Sequence, residues 1–70
     1  MSLVQAIIYM HNNKGSYITC PMWRDEGMFL FLYNEGILYL YSPLIDEIEV
    51  VKAVTLALWM VQPNDWEVME

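Results

Sequence analysis

The apolar run at residues 28–33, MFLFLY, constrains the fold of this chain more than any other segment. Its composition favours a β-strand, in which successive side chains point to opposite faces of the sheet. One face then carries Met28, Leu30 and Leu32. The opposite face carries Phe29, Phe31 and Tyr33. Since both faces are apolar, one can be covered within the chain and the other needs a partner.

The length of the chain leads to the same expectation. A domain of 70 residues, occupying 1–70 as a single unit, buries only about 60% of the surface that its unfolded chain exposes. Cys20 is the only cysteine, which excludes an intrachain disulfide, and His11 with Cys20 cannot supply four zinc ligands. Oligomerisation remains as the source of stability. We expect a homo-oligomer, specifically a tetramer with two-fold symmetry.

Neither the apolar segments nor the start of the chain fits a membrane protein. The longest unbroken apolar stretches, 28–33 and 56–61, are far shorter than the roughly 20 residues that span a bilayer. No basic segment precedes the first of them, as it would in a signal peptide. The sequence predicts no membrane partner and an intracellular, cytoplasmic location.

The charge balance argues against direct binding to nucleic acid. The net charge is −6, and only Lys14, Arg24 and Lys52 are permanently positive. Proteins that bind nucleic acid derive much of their affinity from basic residues on phosphates. An acidic surface either keeps a small protein soluble or imitates DNA towards another protein.

The pattern along the chain predicts an α+β fold with a small antiparallel sheet, an N-terminal helix and a short C-terminal helix. Ser2 can cap a helix whose apolar residues follow at helical spacing and which ends at residues 11–15, although Ile7, Ile8 and Tyr9 also fit a strand. Residues 24–27 read as a turn. The remaining predicted elements are strands at 16–22, 27–33, 37–41 and 49–54, a helix at 56–61 capped by Thr55 and ended by Pro63, and an edge strand at 66–69.

The sequence offers little that indicates catalysis. Cys20 and His11 are separated by a predicted helix end and a turn, and no nucleophile motif surrounds the cysteine. The acidic residues occur in adjacent pairs without the spacing of a calcium loop, and there is no glycine-rich phosphate loop. We therefore expect no enzyme activity, no cofactor and no metal.

The aromatic residues are the strongest indication of binding. A tryptophan or tyrosine ring can stack on a nucleotide base, and such stacking contributes about 1–3 kcal/mol per base. Trp59 lies within a predicted helix, where packing is the simpler interpretation. Trp23 and Trp66 lie in polar turns, and for them packing and ligand contact are equally reasonable.

Two motifs carry a resemblance to a known family. The stretch WRDEGMFLFL contains Trp23, Gly27 and Met28, and the closing stretch PNDWEVME contains Asp65 and Trp66. Together with the N-terminal helix, they resemble the Thoeris anti-defence protein family of the second type, found in phages. That family typically has a W-x-G-K-G-M-x-L-x-L-like segment and ends in D-W-x-x. This chain has Arg24-Asp25-Glu26 in place of the usual small-basic-glycine turn.

The resemblance implies a function. Members of the family are oligomeric sponges that bind cyclic ADP-ribose-type immune signals, and some bind cyclic dinucleotides, without cleaving them. It implies a host-cell cytoplasmic phage protein with ligand pockets between protomers. The alternative is an acidic protein inhibitor that binds a host defence or DNA-handling protein directly.

The candidate ligand-binding residues combine these motifs with the cations that a phosphate requires. Arg24 can contact a phosphate or form a surface ion pair with Asp25 or Glu26, and the sequence leaves both roles open. Thr55 stands where the family has a helix-capping serine. The full candidate set is Trp23, Arg24, Gly27, Lys52, Thr55, Asn64, Asp65 and Trp66.

Overall fold

A computed structural model describes residues 1–33, 36–61 and 65–69 of the protein. Its elements in chain order are α1 (Leu3–Asn12), β1 (Tyr17–Thr19), α2 (Pro21–Arg24), β2 (Phe29–Tyr33), β3 (Ile37–Ser42), β4 (Glu47–Val50), α3 (Ala53–Met60) and β5 (Glu67–Met69). The strands form one five-stranded sheet in the order β4-β3-β2-β1-β5, and every neighbouring pair is antiparallel. The predicted α+β class, the antiparallel sheet and the edge position of the last strand are confirmed.

Helix α1 begins at a reciprocal cap. The Ser2 hydroxyl accepts a hydrogen bond from the Gln5 backbone N–H at 3.1 Å, and the Gln5 side chain accepts one from the Ser2 N–H at 2.9 Å. This capping box satisfies two N–H groups that a helix start leaves unpaired. The helix buries Leu3, Ala6 and Met10 on one stripe, which confirms the helical interpretation over the strand alternative.

Between β1 and β2 the chain forms a short helix that overlaps both the predicted strand at 16–22 and the predicted turn at 24–27. The strand is therefore shorter than predicted, since β1 covers only Tyr17–Thr19 and residues 21 and 22 are helical. Pro21 occupies the first position of α2, where its fixed φ is suited to a helix and its missing N–H costs nothing. The turn follows at residues 25–27. The expectation that residues 24–27 alone form the turn is therefore wrong at Arg24, which ends the helix.

Strand β4 lies earlier in the chain than the predicted 49–54. It pairs with β3 from Ser42↔Glu47 to Tyr39↔Val50, directly after a tight turn at residues 43–46. The turn is closed by hydrogen bonds from the Ile45 and Asp46 N–H groups to the carbonyls of Ser42 and Pro43. Because the turn is so short, strand pairing resumes at Glu47.

Helix α3 starts at Ala53, one turn earlier than predicted, and Thr55 lies inside it. Lys52 is the N-cap residue, with an extended backbone and no side-chain cap bond. Leu56 and Trp59, three residues apart, both pack against the core, so tertiary packing decides the start of this helix. Pro63, the predicted stop, lies outside the described residues. None of the described helices has the length and apolar character needed to cross a membrane.

The core occupies one face of the sheet. Ile18 and Leu30 are fully buried there beneath α1, and Trp66 closes the same cluster. Leu38 and Leu40 of β3 and Leu56 of α3 pack against it. The prediction that one face of the strand at 28–33 is covered within the chain is confirmed.

The opposite face of the sheet is a continuous apolar surface, which we call the aromatic face. No member of it belongs to the core cluster or packs against that cluster. Four of its members, Tyr33, Ile37, Ile48 and Val50, are between 42% and 62% exposed. The strand register places on it Tyr17, Phe29, Phe31, Tyr33, Ile37, Tyr39, Tyr41, Ile48 and Val50.

Candidate functional site

The three tryptophans meet in one packed group. The Trp23 ring lies edge-on to Trp59 at 5.1 Å and to Trp66 at 5.2 Å between ring centres. Edge-to-face contacts of this kind stabilise aromatic pairs beyond the area that they bury. Trp66 is only 5% exposed, and its backbone exchanges two hydrogen bonds of 3.0 Å with Met1. Its indole therefore offers almost no surface to a ligand, and Trp23 and Trp59 are half-buried.

Arg24 has an acidic partner, but not one of its sequence neighbours. Its Nη1 donates to Glu67 Oε2 at 2.8 Å and to Oε1 at 3.2 Å. The side chains of Arg24 and Glu67 are 55% and 34% exposed, so water screens the pair. The contact joins the end of α2 to β5, and a phosphate at Arg24 would have to compete with Glu67.

Gly27 has a backbone role. Its φ is +74°, and a Cβ atom at this position would lie 3.1 Å from Cγ of Pro43. Both the conformation and the close approach favour glycine. Asp65 is exposed. Asn64 lies outside the described residues.

Lys52 and Thr55 line a small cleft of about 230 Å³ between β4 and α3. Trp59 and Leu40 form its apolar side, and Glu49 lines it as well. The lining of this cleft therefore includes one carboxylate, from Glu49, and one ammonium group, from Lys52. The structure therefore brings two of the candidate residues together, in a place separate from Arg24 and its partner Glu67.

A larger cleft of about 670 Å³ lies where the end of α1 meets the β2–β3 hairpin, and we call it the main cleft. Its volume falls in the usual range for small-molecule sites, roughly 300–1,000 Å³. Its wall is aromatic, from Tyr17, Phe31 and Tyr33. Its rim carries His11 and Lys14, and none of the described residues that line it is an acid.

The main cleft opens onto the aromatic face. Tyr17 and Phe29 lie 4.7 Å apart between ring centres, and Phe31 stacks on Tyr39 at 5.5 Å with an angle of 19° between the rings. Further ring contacts join Phe29 to Phe31 and to Tyr41, at 6.0 and 5.4 Å. A ligand base in the cleft would thus meet a surface whose rings already support one another.

Sequence reasoning missed the main cleft. His11 and Lys14 belong to the segment that ends α1, so their pattern indicates only a helix stop. For Phe29, Phe31 and Tyr33 the pattern predicts a sheet face that needs a partner, and it does not place Tyr17 beside them. The sequence does contain one indication: Lys14 is one of only three lysines and arginines in an acidic chain, and it lies three residues before Tyr17.

The described residues contain no group of three or more histidines, cysteines or acids that could hold a metal ion. The free thiol of Cys20 is half-buried at the start of α2. No protein-family model, curated protein or solved structure matches this chain.

Proposed function

We propose that the protein is a sponge that binds and sequesters a cyclic nucleotide immune signal, of the cyclic ADP-ribose or cyclic dinucleotide type, without cleaving it. The observation that carries the proposal is the main cleft, which has the volume of a nucleotide site and an aromatic wall. A purine has two flat faces, and the rings of Tyr17, Phe31 and Tyr33 supply planes for stacking. The resemblance to the phage anti-defence family supports the same function.

The proposed sponge is a homo-oligomer in the host-cell cytoplasm. The main cleft shares Tyr17, Phe29, Phe31 and Tyr33 with the aromatic face, so a second copy seated on that face would cover this side of the cleft. The ligand would then lie in a pocket between protomers, excluded from water. Burying the ligand in this way strengthens its polar contacts, because the dielectric constant falls.

The acidic-inhibitor function is less well supported by this geometry. A protein that imitates DNA needs carboxylates arrayed along a surface. The aromatic face is instead apolar, and the strand register assigns no acid to it within β2, β3 or β4.

The test is ligand retention. The protein is incubated separately with cyclic ADP-ribose isomers and with cyclic dinucleotides, washed and heat-denatured, and the released material is separated by chromatography. We expect intact ligand in a fixed ratio to protomer. Recovery of an altered nucleotide would indicate an enzyme, and the absence of any retained nucleotide would overturn the proposal.

Two variants test whether the retained ligand binds in the main cleft. Tyr33→Ala removes an exposed ring from the wall and should weaken binding of the retained ligand by about 1–3 kcal/mol, the usual contribution of one base stack. Tyr41→Ala removes the same side chain from the same face but outside the cleft, and should leave the affinity within about threefold. Light scattering on both variants checks that assembly is unchanged.

A further inference from the structure

The three lysines and arginines of this acidic chain lie in different electrostatic surroundings. Arg24 is paired with Glu67 at 2.8 Å, and Lys52 shares its small cleft with Glu49. Neither lysine forms an ion pair with a described residue, but Lys14 lines the main cleft, whose described lining contains no acid. In a protein of net charge −6 with nine acids, a cleft whose described lining contains a lysine, a histidine and no acid is a local exception.

The side chains at the rim of the main cleft can bind an anion. A lysine ammonium carries three donors and no acceptor, and an imidazole presents a donor to the same rim. The C-terminal end of α1 carries a partial negative charge of about half an elementary unit, which repels an anion. The full charge of Lys14 exceeds that partial charge, so the rim is attractive to an anion.

We propose that the main cleft binds its ligand with a phosphate group at the rim formed by Lys14 and His11 and with the base against the aromatic wall of Tyr17, Phe31 and Tyr33. This assignment rests on the proposed nucleotide-binding function and specifies its site. It places the phosphate contact at the end of α1, away from Arg24, which is held by Glu67. The ligand class is therefore a phosphorylated nucleotide, and an uncharged nucleoside uses only the aromatic half of the site.

The anion site can be tested without knowing the natural ligand. Isotope-labelled protein is titrated with inorganic pyrophosphate at constant ionic strength, and the amide and imidazole resonances are followed by NMR. We expect saturable shifts at His11, Lys14 and Gly15. Lys14→Gln, which removes the charge and keeps a polar side chain one atom shorter, should weaken pyrophosphate binding by about tenfold or more, the usual effect of losing a charged hydrogen bond.

Lys52→Gln is the matched control, since it removes the same charge from the other cleft. It should leave the pyrophosphate affinity unchanged within about twofold. Equal weakening by Lys14→Gln and Lys52→Gln would show a general charge effect and overturn the assigned site. An absence of saturable pyrophosphate shifts in the wild type would overturn it as well.

A parallel titration with adenosine and ADP separates this inference from the sponge function. We expect Lys14→Gln to weaken ADP and to leave adenosine unchanged. If cyclic nucleotides are retained equally by wild type and Lys14→Gln, the sponge stands and the phosphate assignment is wrong. If pyrophosphate binds at Lys14 but no cyclic nucleotide is retained, the anion site stands and the sponge is wrong.

Discussion

At the scale of single residues, burial decides between the two roles that the sequence allows for Trp66. The residue follows a polar turn in sequence, yet its side chain is 5% exposed and contacts Trp23 in the core. Its neighbours in the chain indicate a surface, whereas its neighbours in space belong to the tryptophan group. The structure thus gives Trp66 a packing role.

Trp66→Ala should therefore act mainly on stability. We expect the free energy of unfolding to fall by about 3–5 kcal/mol, the usual cost of truncating a buried large aromatic side chain. Urea denaturation followed by circular dichroism measures it. Met22→Ala, at a site that is 76% exposed, is the control and should change stability by less than about 0.5 kcal/mol. Unchanged stability of Trp66→Ala together with lost ligand binding would restore the ligand role.

Gly27 offers a second prediction at this scale. Gly27→Ala adds a Cβ in a left-handed backbone and 3.1 Å from Pro43, whereas Gly15→Ala adds one at a φ of +90° with nothing within 4 Å. The backbone strain common to both should cost about 1–2 kcal/mol. Gly27→Ala should cost more than Gly15→Ala because of the added contact, as measured by urea denaturation. Equal losses of stability in the two variants would mean that Pro43 can move away from the added Cβ at no cost in free energy.

At the scale of elements, the β3–β4 hairpin contains a specific polar contact next to the aromatic face. The Tyr41 hydroxyl donates to Asp46 Oδ1 at 3.2 Å, and Asp46 has a φ of +49°. Desolvation, followed by the hydrogen bond to Asp46 and its negative charge, raises the pKa of Tyr41 above the usual 10.0. The protonated phenol is therefore the form that the fold favours.

This contact predicts a pH dependence at the alkaline end. Because the folded pKa of Tyr41 is raised, its stabilising contribution is fully present below pH 10 and is lost as the pH rises through the folded value. Wild type should lose stability above pH 10 more steeply than Tyr41→Phe, as followed by the thermal midpoint. Tyr33→Phe serves as the control and should behave as wild type. Identical pH profiles for wild type and Tyr41→Phe would contradict the prediction.

At the scale of the whole molecule, apolar surface remains on both sides of the protein. Among the residues that the structure describes, six hydrophobic side chains form the buried core: Leu3, Ala6, Met10, Ile18, Leu30 and Trp66. The aromatic face is open on one side. Val54 and Leu58 on α3 and Val61 at its C-cap are 68%, 63% and 81% exposed, and their i, i+4, i+7 spacing places them on one side of the helix, which we call the helix patch. A small core and two separate apolar surfaces favour an assembly with two kinds of interface.

Two kinds of two-fold interface combine into a tetramer, which we expect from light scattering at about four times the protomer mass of 8.3 kDa. Ile48→Glu places a charge on the aromatic face, and Leu58→Glu places one on the helix patch. Both residues are exposed within the protomer, at 60% and 63%, so the protomer should still fold. Each single variant should give dimers, and the double variant should give monomers.

Two outcomes would contradict this assembly. If the wild type is a monomer, neither interface exists and no second copy closes the main cleft. Single variants that remain tetrameric would show that these surfaces are not the contacts. Val4→Glu, at a site on α1 that is 48% exposed and outside both surfaces, is the control and should stay tetrameric.

Local sequence patterns were enough to predict the α+β fold class, the helix α1 with its Ser2 cap, the strands β2 and β3, and the apolar character of both faces of β2. These features depend on local patterns: the capping box at Ser2 and Gln5, and the alternation of side chains along a strand. Such patterns depend on residues that are close in the chain, so they can be recognised without knowing what lies nearby in space.

Which residues of distant segments come into contact depends on tertiary packing. Helix α3 starts at Ala53 because Leu56 and Trp59 pack on the core, and Arg24 pairs with Glu67, which is 43 residues away along the chain. The main cleft joins Lys14 at the end of α1 to Phe31 of β2, two residues that share no motif. Contacts between distant segments depend on how helices and strands pack together, and local patterns carry no information about that packing.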